Sequence, residues 1–186
     1  MGRRLGVALL AAGASRRFGE ADKLAVDFRG ERLGEHAALA LAGVGYVQGW
    51  VITSAPDHPC ERTWRSCGFT PLINPNAHKG MGTSVALAAK VAEQASLDGL
   101  LIALGDMPLV PQEHFEALID VWDVSEPIVV SAKGDVRMPP ALFSSGQFKA
   151  LQQSTGDQGA RVLIEQGLAI PCPPGWLKDV DRPEDF

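Results

Sequence analysis

The chain has 186 residues, a length that a single domain accounts for, and we expect residues 1–186 to form one. Hydrophobic residues make up 46% of the chain and charged residues 21%, values that are typical of globular proteins and exclude an intrinsically disordered chain. The formal net charge of −5 provides no global basic field, so we expect no nucleic-acid partner.

The charges are distributed unevenly along the chain. Seven Lys and Arg residues precede position 33, whereas acidic residues crowd the end. Those late acids are Asp179, Asp181, Glu184 and Asp185. We interpret this asymmetry as the first indication of a chemical site.

Cysteine, histidine and apolar patterns narrow the class of protein. Three cysteines without a Cys-x-x-Cys pair argue against a disulfide framework or a zinc knuckle. The four histidines lack metal-ligand spacing, and we expect them in solvated or capping roles. Apolar runs stay short of the roughly 18 residues that a membrane span needs, so we expect a cytoplasmic protein without a membrane partner.

Predicted strands and helices alternate along the chain. In chain order they are strands at 6–11, 50–54 and 71–73, a helix at 82–97, a strand at 99–104, a helix with Pro111 in its first turn, a strand at 127–131, a helix at 159–166 and a strand at 168–171. The runs 6–11 and 99–104 are almost entirely apolar, which is typical of central strands covered on both faces. The stretches 55–59, 74–80 and 133–140 are predicted loops.

This alternation predicts an α/β fold, a single-domain Rossmann-like three-layer α/β/α sandwich with a mostly parallel sheet. One predicted helical face carries Val85, Ala88, Ala89 and Ala92. The next carries Phe115, Leu118, Ile119 and Trp122. Both sets recur at the spacing that places side chains on one side of a helix.

The first motif with chemical content leaves the end of the first strand. Residues 10–19 read Leu-Ala-Ala-Gly-Ala-Ser-Arg-Arg-Phe-Gly, and Lys23 follows. Small residues let main-chain N–H groups approach an anion or a base edge closely, and Arg17 and Lys23 add positive charge. The glycine spacing excludes the dinucleotide fingerprint, and the lack of a following Gly-Lys-Ser/Thr excludes the Walker A loop. A plain glycine-containing turn with surface arginines is the alternative.

Two further motifs carry carboxylates. Leu-Gly-Asp-Met-Pro places Asp106 directly after a central strand, where open α/β sheets bind ligands and where carboxylates and substrate phosphates hold Mg²⁺. Capping of the following turn is the alternative for Asp106. The late motif Asp-Val-Asp-Arg-Pro-Glu-Asp contains Asp179 and Asp181. An N-cap role before Pro183 accounts for Asp181 but not for Asp179.

These motifs, with Gly-Met-Gly-Thr-Ser at 80–84 and Gly-Asp-Gln-Gly-Ala-Arg at 156–161, resemble in order and spacing those of the MobA-like NTP transferase family. The branch they resemble most is molybdenum cofactor cytidylyltransferase. The resemblance spans essentially the whole chain. It implies a nucleotide-diphospho-sugar transferase-like fold, with one nucleotidyltransferase domain over residues 1–186.

The activity that the resemblance implies is Mg²⁺-dependent transfer of CMP from CTP to molybdopterin cofactor, with release of pyrophosphate. Members with Leu-Ala-Ala-Gly tend to use CTP and those with Leu-Ala-Gly-Gly tend to use GTP, so Ala12 favours CTP. Use of GTP, another phosphorylated acceptor such as a sugar phosphate or phospholactate, and a non-catalytic carrier of the cofactor are the alternatives. A molybdenum hydroxylase apo-enzyme is a candidate protein partner.

The resemblance also implies roles for individual residues. The catalytic residues are Arg17, Lys23 and Asp106. The metal ligands are Asp106 with Asp181, which we prefer, or with Asp179. The nucleotide-binding residues are Leu10, Ala11, Ala12, Gly13, Ser15, Arg17, Lys23, Gly80, Gly82, Thr83 and Ser84.

The chain departs from the family pattern at two places. Three residues separate Gly19 from Lys23 where two are usual. In the acceptor half, residues 137–140 read Arg-Met-Pro-Pro, whereas the family has Gly-His/Asn-Pro-Val.

Overall fold

A seven-stranded mixed sheet forms the centre of the molecule in the computed structural model, which describes residues 2–13, 22–122 and 126–181. The strands in these ranges are β1 (Leu5–Leu10), β2 (Asp27–Phe28), β3 (Glu31–Arg32), β4 (Gln48–Thr53), β5 (Phe69–Ile73), β6 (Gly99–Leu104), β7 (Ile128–Lys133), β8 (Val136–Ser144) and β9 (Leu168–Pro171). The α-helices are α1 (Leu33–Leu41), α2 (Glu61–Ser66), α3 (Met81–Gln94), α4 (Gln112–Val121), α5 (Phe148–Leu151) and α6 (Arg161–Ile164).

The sheet is mostly parallel. Its strand order is β5-β4-β1-β6-β8-β7-β9, while β2 and β3 form a separate antiparallel pair. Within the large sheet, β8 runs antiparallel to both of its neighbours, and every other pair is parallel. Leu10 pairs with Ile52 on one side and Leu104 on the other, so β1, β4 and β6 end at the same level.

Helices cover both faces of the sheet because side chains of the central strands alternate between two cores. Leu9 of β1 packs in the core under α1, α2 and α4, whereas Ala8 and Leu10 pack in the core under α3, α5 and α6. The predicted faces of α3 and α4 are the buried ones. The predicted three-layer α/β fold and the central position of β1 and β6 are therefore confirmed.

The predicted loop at 133–140 is wrong, because this stretch forms the turn and first half of a β7–β8 hairpin. Val130 pairs with Ala141 while the next residue, Ser131, pairs with Met138. Pro139 and Pro140 therefore lie in an irregularity of the ladder, where a residue without an N–H is tolerated. Strand β8 was not predicted because these two prolines, which are rare within strands, lie inside it.

Other element predictions need smaller corrections. The helix predicted at 82–97 ends at Gln94, the helix with Pro111 begins at Gln112, and the helix predicted at 159–166 has only four residues. Helices α1, α2 and α5 were not predicted. In the described part of the chain, no helix combines the length and apolar character needed to cross a membrane.

His114 does not have the predicted solvated or capping role. It is buried on α4, and its Nε2 lies 2.8 Å from the hydroxyl of Ser131 on β7. That hydroxyl in turn donates to the carbonyl of Pro140 at 2.8 Å. The serine oxygen is therefore the acceptor for His114, and the ring nitrogen facing it carries a proton.

Burial lowers the pKa of His114 below its ordinary value of 6.5, because the protein interior disfavours the imidazolium. Below that value the unfolded chain binds a proton that the folded chain resists, so the free energy of unfolding must fall as pH falls. Urea unfolding at about pH 8 and about pH 5.5 measures this loss. We expect a smaller loss in His114→Gln, which keeps an N–H donor but does not titrate. Equal losses in the two proteins would contradict this assignment.

Candidate nucleotide and metal site

A cavity of about 290 Å³ opens at the carboxyl ends of β1 and β6. In the sheet, β4 and β5 lie on one side of β1, and β6 lies on its other side. The cavity therefore lies where the strand order reverses. Open α/β sheets bind ligands at such points. Gly105 brings the two strand ends together, since its N–H donates to the Leu10 carbonyl at 2.9 Å and a Cβ there would lie 3.2 Å from that oxygen.

Most predicted nucleotide-binding residues that the structure describes line this cavity. Those in its wall are Leu10, Ala11, Ala12, Gly13, Lys23, Gly80 and Ser84, and Asp106 joins them. Gly82 and Thr83 are not in the wall, although both belong to the first turn of α3 beside it. Ser15 and Arg17 lie outside the described residues.

The first turn of α3 is fixed by hydrogen bonds that the sequence did not reveal. Gly80 adopts φ +109°, a conformation that favours glycine, and α3 begins at the next residue. Buried Asn74, directly after β5, donates to the hydroxyls of Thr83 and Ser84 at 2.9 Å each. A polar residue at the end of a predicted strand was the available signal. Asn74 therefore sets the position of the helix that borders the cavity.

Lys23 lies between two of the predicted metal ligands. Its Nζ is 2.8 Å from Asp106 Oδ2 and 2.8 Å from Asp181 Oδ1. The backbone N–H of Val180 also donates to the Asp106 carbonyl at 2.9 Å, which holds the late segment against the end of β6. The structure thus brings together Lys23, Asp106 and Asp181, which are far apart in the sequence.

The charges at this cluster affect one another's pKa values. Burial disfavours the ammonium of Lys23, but the carboxylates of Asp106 and Asp181 outweigh it and raise the lysine pKa. For Asp179, in contrast, the surroundings disfavour the charged form. Although its side chain is exposed, desolvation by the surrounding protein and repulsion from Asp106 and Asp181 raise its pKa to about 6. Asp181, and not Asp179, is the carboxylate that contacts the same cation as Asp106.

The carboxylates of Asp106 and Asp181 fit a small divalent cation by their chemistry. Both are hard oxygen donors, and both contact one positively charged group, the Lys23 ammonium. Across residues 2–13, 22–122 and 126–181, no group of three or more His, Cys, Asp and Glu side chains converges to hold a metal ion. A cation here would therefore need further oxygens from water or substrate phosphates, as Mg²⁺ commonly does.

A second cavity, of about 720 Å³, adjoins the first. The two share Leu10, Met81 and Leu104 in their walls. The rest of the second wall is largely apolar and comes mainly from α3, β6, β8 and α6, with Arg137, Arg161 and Asp179 among its charged members. Two ligands could therefore lie side by side above the sheet.

Comparison with known proteins agrees with this architecture. Residues 7–170 match the model of the MobA-like NTP transferase domain. The chain belongs to the MobA-like NTP transferase family. It is also 31% identical to the purine catabolism protein PucB of Bacillus subtilis (strain 168), over 95% of this chain and 91% of that protein.

Solved structures show the same fold. A nucleotidyl transferase from Methanothermobacter thermautotroptrophicus, Mth528, is 18% identical and superposes with a TM-score of 0.81, covering 99% of this chain and 94% of its own. Rv0371c from Mycobacterium tuberculosis H37Rv, in a complex with manganese, is 22% identical with a TM-score of 0.69, covering 99% of this chain and 96% of its own. Family membership makes this chain a nucleotidyltransferase with small-molecule nucleotide substrates.

An added methyl group should lower the stability of the protein at Gly82 but not at Gly13. A Cβ at Gly82 would lie 2.6 Å from the Thr155 backbone, whereas none of the described atoms lies within 4 Å of a Cβ at Gly13. We expect Gly82→Ala to lose about 1–3 kcal/mol of unfolding free energy, because overpacking exceeds the helix-propensity gain of about 1 kcal/mol. Gly13→Ala should stay within about 0.5 kcal/mol.

Urea unfolding of both variants measures the difference, and titration with a nucleoside triphosphate separates stability from binding. Gly13→Ala should weaken nucleotide binding because Gly13 lies in the wall of the first cavity. A destabilised Gly13→Ala protein, or a Gly82→Ala protein as stable as the wild type, would contradict the packing described above.

Proposed function

We propose that the protein transfers CMP from CTP to molybdopterin cofactor and releases pyrophosphate. The observation that carries this proposal is the convergence of Lys23, Asp106 and Asp181 beside two adjoining cavities. The first cavity takes the nucleotide and the second takes the acceptor. The family supports nucleotidyl transfer, while the choice of CTP, molybdopterin and Mg²⁺ is ours.

The reaction needs positioning and charge neutralisation more than proton transfer. An oxygen of the acceptor's phosphate attacks the α-phosphorus of the nucleotide, the bond from that phosphorus to the bridging oxygen breaks, and pyrophosphate leaves. The attacking oxygen is anionic at neutral pH, so it requires no strong general base. This agrees with a site built from carboxylates, a lysine and small residues.

The charged residues divide this work. Asp106 and Asp181 would hold Mg²⁺, which when bound would offset the negative charge of the phosphates. Lys23 binds the triphosphate and stabilises the departing pyrophosphate, and Arg17 assists it. Before substrate arrives, the Lys23 ammonium compensates the two carboxylates that it contacts. Ser15 and the main chain of residues 10–13 bind the nucleotide.

The position of Ala12 favours a pyrimidine. Ala12 lies in the wall of the first cavity and is only 8% exposed, so its methyl group is packed in place. A methyl group instead of hydrogen narrows the space beside the base. A cytosine is smaller than a guanine and fits the narrower space.

The walls of the second cavity favour an acceptor with a flat pterin ring over a polyhydroxylated sugar phosphate. Val85, Ile102, Phe143 and Ile164 contribute apolar surface to it. Burying a polyhydroxylated sugar against such surface would leave hydroxyl groups without partners, at a cost of about 1–3 kcal/mol each. A pterin ring offers flat surface to the apolar wall. Arg137, held through Nε by the Gly167 carbonyl at 3.1 Å, adds a cation to the same wall.

Asp106→Asn should reduce pyrophosphate release from CTP, Mg²⁺ and molybdopterin by at least about 100-fold. The substitution keeps the side-chain size but removes a charge that holds the metal and pairs with Lys23. Asp120→Asn is the matched control, since Asp120 is an exposed residue of α4, outside both cavity walls. It should retain wild-type activity. Full activity in Asp106→Asn would contradict the assignment.

The same assay separates the alternatives. Pyrophosphate release with CTP and molybdopterin supports the proposal. Release only with another phosphorylated acceptor selects a related transferase. Tight binding of finished cofactor without turnover selects a carrier.

Ala12→Gly should reduce the preference for CTP over GTP. Removing the methyl group widens the first cavity beside the base, so GTP should gain in kcat/KM relative to CTP by about tenfold, the effect of roughly one or two methylene groups in a pocket. Competition between the two nucleotides in one assay measures the ratio directly. A wild-type protein that prefers GTP, or an unchanged ratio in the variant, would contradict the role of Ala12.

A further inference from the structure

Asp22, the residue before Lys23, is held by a histidine from another part of the fold. His58 Nε2 lies 2.7 Å from Asp22 Oδ2. The other carboxylate oxygen of Asp22 accepts the Leu24 N–H at 3.0 Å, which caps the short 3₁₀ turn Lys23–Ala25. One side chain therefore both starts the turn that carries Lys23 and ties it to the loop after β4.

Contacts with Cys60 and Trp64 orient the ring of His58 towards Asp22. Its Nδ1 accepts the Cys60 N–H at 3.0 Å, so that nitrogen carries no proton and Nε2 is the donor to Asp22. The ring stacks on Trp64, with centroids 4.4 Å apart and planes 27° from parallel, and only 9% of the side chain is exposed. Trp64 is itself fixed by a 2.8 Å hydrogen bond to the Gly34 carbonyl.

A second contact joins the same two segments. Buried Cys60 donates its thiol hydrogen to the Leu24 carbonyl at 3.3 Å. Burial and the nearby Glu35 raise the pKa of this thiol to about 12, so it remains a donor at neutral pH. The segment 58–60 therefore contacts both Asp22 and Leu24, one on each side of Lys23.

We propose that His58 is a positioning residue that acts through Lys23. His58 and Asp22, here called the clamp, fix the backbone from which the lysine side chain reaches Asp106 and Asp181. The inference rests on the proposed function, in which Lys23 binds the triphosphate. It also gives a physical role to the longer spacing before Lys23, because Asp22 ends that spacing and is the residue that His58 contacts.

Two substitutions of His58 separate its hydrogen bond from its packing. His58→Phe keeps an aromatic ring for stacking on Trp64 but cannot donate to Asp22. His58→Gln gives up the ring but keeps an N–H donor. We expect the KM for CTP to rise about tenfold in His58→Phe and kcat to fall, because Lys23 both binds the triphosphate and stabilises the departing pyrophosphate. Both values should return towards those of the wild type in His58→Gln.

Hydrogen exchange tests the clamp without any substrate. The Leu24 amide, which donates to Asp22, should exchange about tenfold faster in His58→Phe than in the wild type or in His58→Gln. NMR resolves this single amide, and thermal unfolding of each variant reports its global stability. His36→Phe is the matched control, because His36 also meets an aromatic ring, Phe28, and contacts that residue's carbonyl at 2.7 Å, away from the clamp. It should leave Leu24 exchange and the KM for CTP unchanged.

The Lys23→Met background tests whether His58 acts through the lysine. If it does, adding His58→Phe to Lys23→Met changes the KM for CTP no further. A full additional rise would overturn the inference, as would wild-type exchange at Leu24 in His58→Phe, or faster exchange with an unchanged KM. A wild-type protein that releases no pyrophosphate with any nucleotide and acceptor would contradict the proposed function, which is a different result from unchanged exchange in an active His58→Phe variant.

Discussion

The Lys23 ammonium between Asp106 and Asp181 is the interaction on which the rest of the site depends. Two carboxylates that approach one point repel each other strongly when water is partly excluded. The lysine offsets this repulsion, and its raised pKa keeps it charged. It also joins its own segment to two others, because Asp106 and Asp181 are 83 and 158 residues away from Lys23 in the sequence. Without that charge, Asp181 in the late segment would lose its ion pair with the segment that carries Lys23.

The sheet provides the geometry for this interaction. Because β1 and β6 are parallel neighbours that end at the same level, the glycine-containing segment after one strand and Asp106 after the other reach the same edge. The antiparallel β8 then extends the sheet beyond β6 and supplies part of the second wall. One strand reversal thus adds a second, largely apolar compartment beside the one that contains Lys23 and Asp106, which suits a reaction between two different ligands.

The sequence predicted the parts of the fold that depend on local periodicity. The apolar runs of β1 and β6 and the buried faces of α3 and α4 follow from side-chain spacing alone. Helix α2 could not be predicted in this way. Its six residues bury only Trp64, and one buried residue does not make a periodic pattern. Strand β8 was hidden by two prolines whose irregular pairing is visible only in the ladder.

The site was predictable in its membership more than in its contacts. The motifs singled out Lys23, Asp106 and Asp181, but assigned the lysine to the triphosphate and the acids to the metal. Their mutual ion pairs depend on distances across the fold that no spacing reveals. Asn74 and His58 were missed for the same reason. Each acts on a residue in another segment, and neither lies in the motifs singled out from the sequence.

The close packing of Gly82 against Thr155 has a consequence for how this site can change. The backbone at 155 leads directly into the turn Gly156–Gln158, whose last residue borders the second cavity, while Gly82 sits in the helical turn beside the first. At this contact the two compartments approach each other through main chain, whereas elsewhere they share Leu10, Met81 and Leu104 in their walls. Substitutions that reshape one compartment can be accommodated at its outer walls, such as β8, but not where Gly82 packs against the backbone of Thr155. Altered substrate choice would therefore arise at cavity walls away from this contact, such as Ala12 or β8, with position 82 kept as glycine.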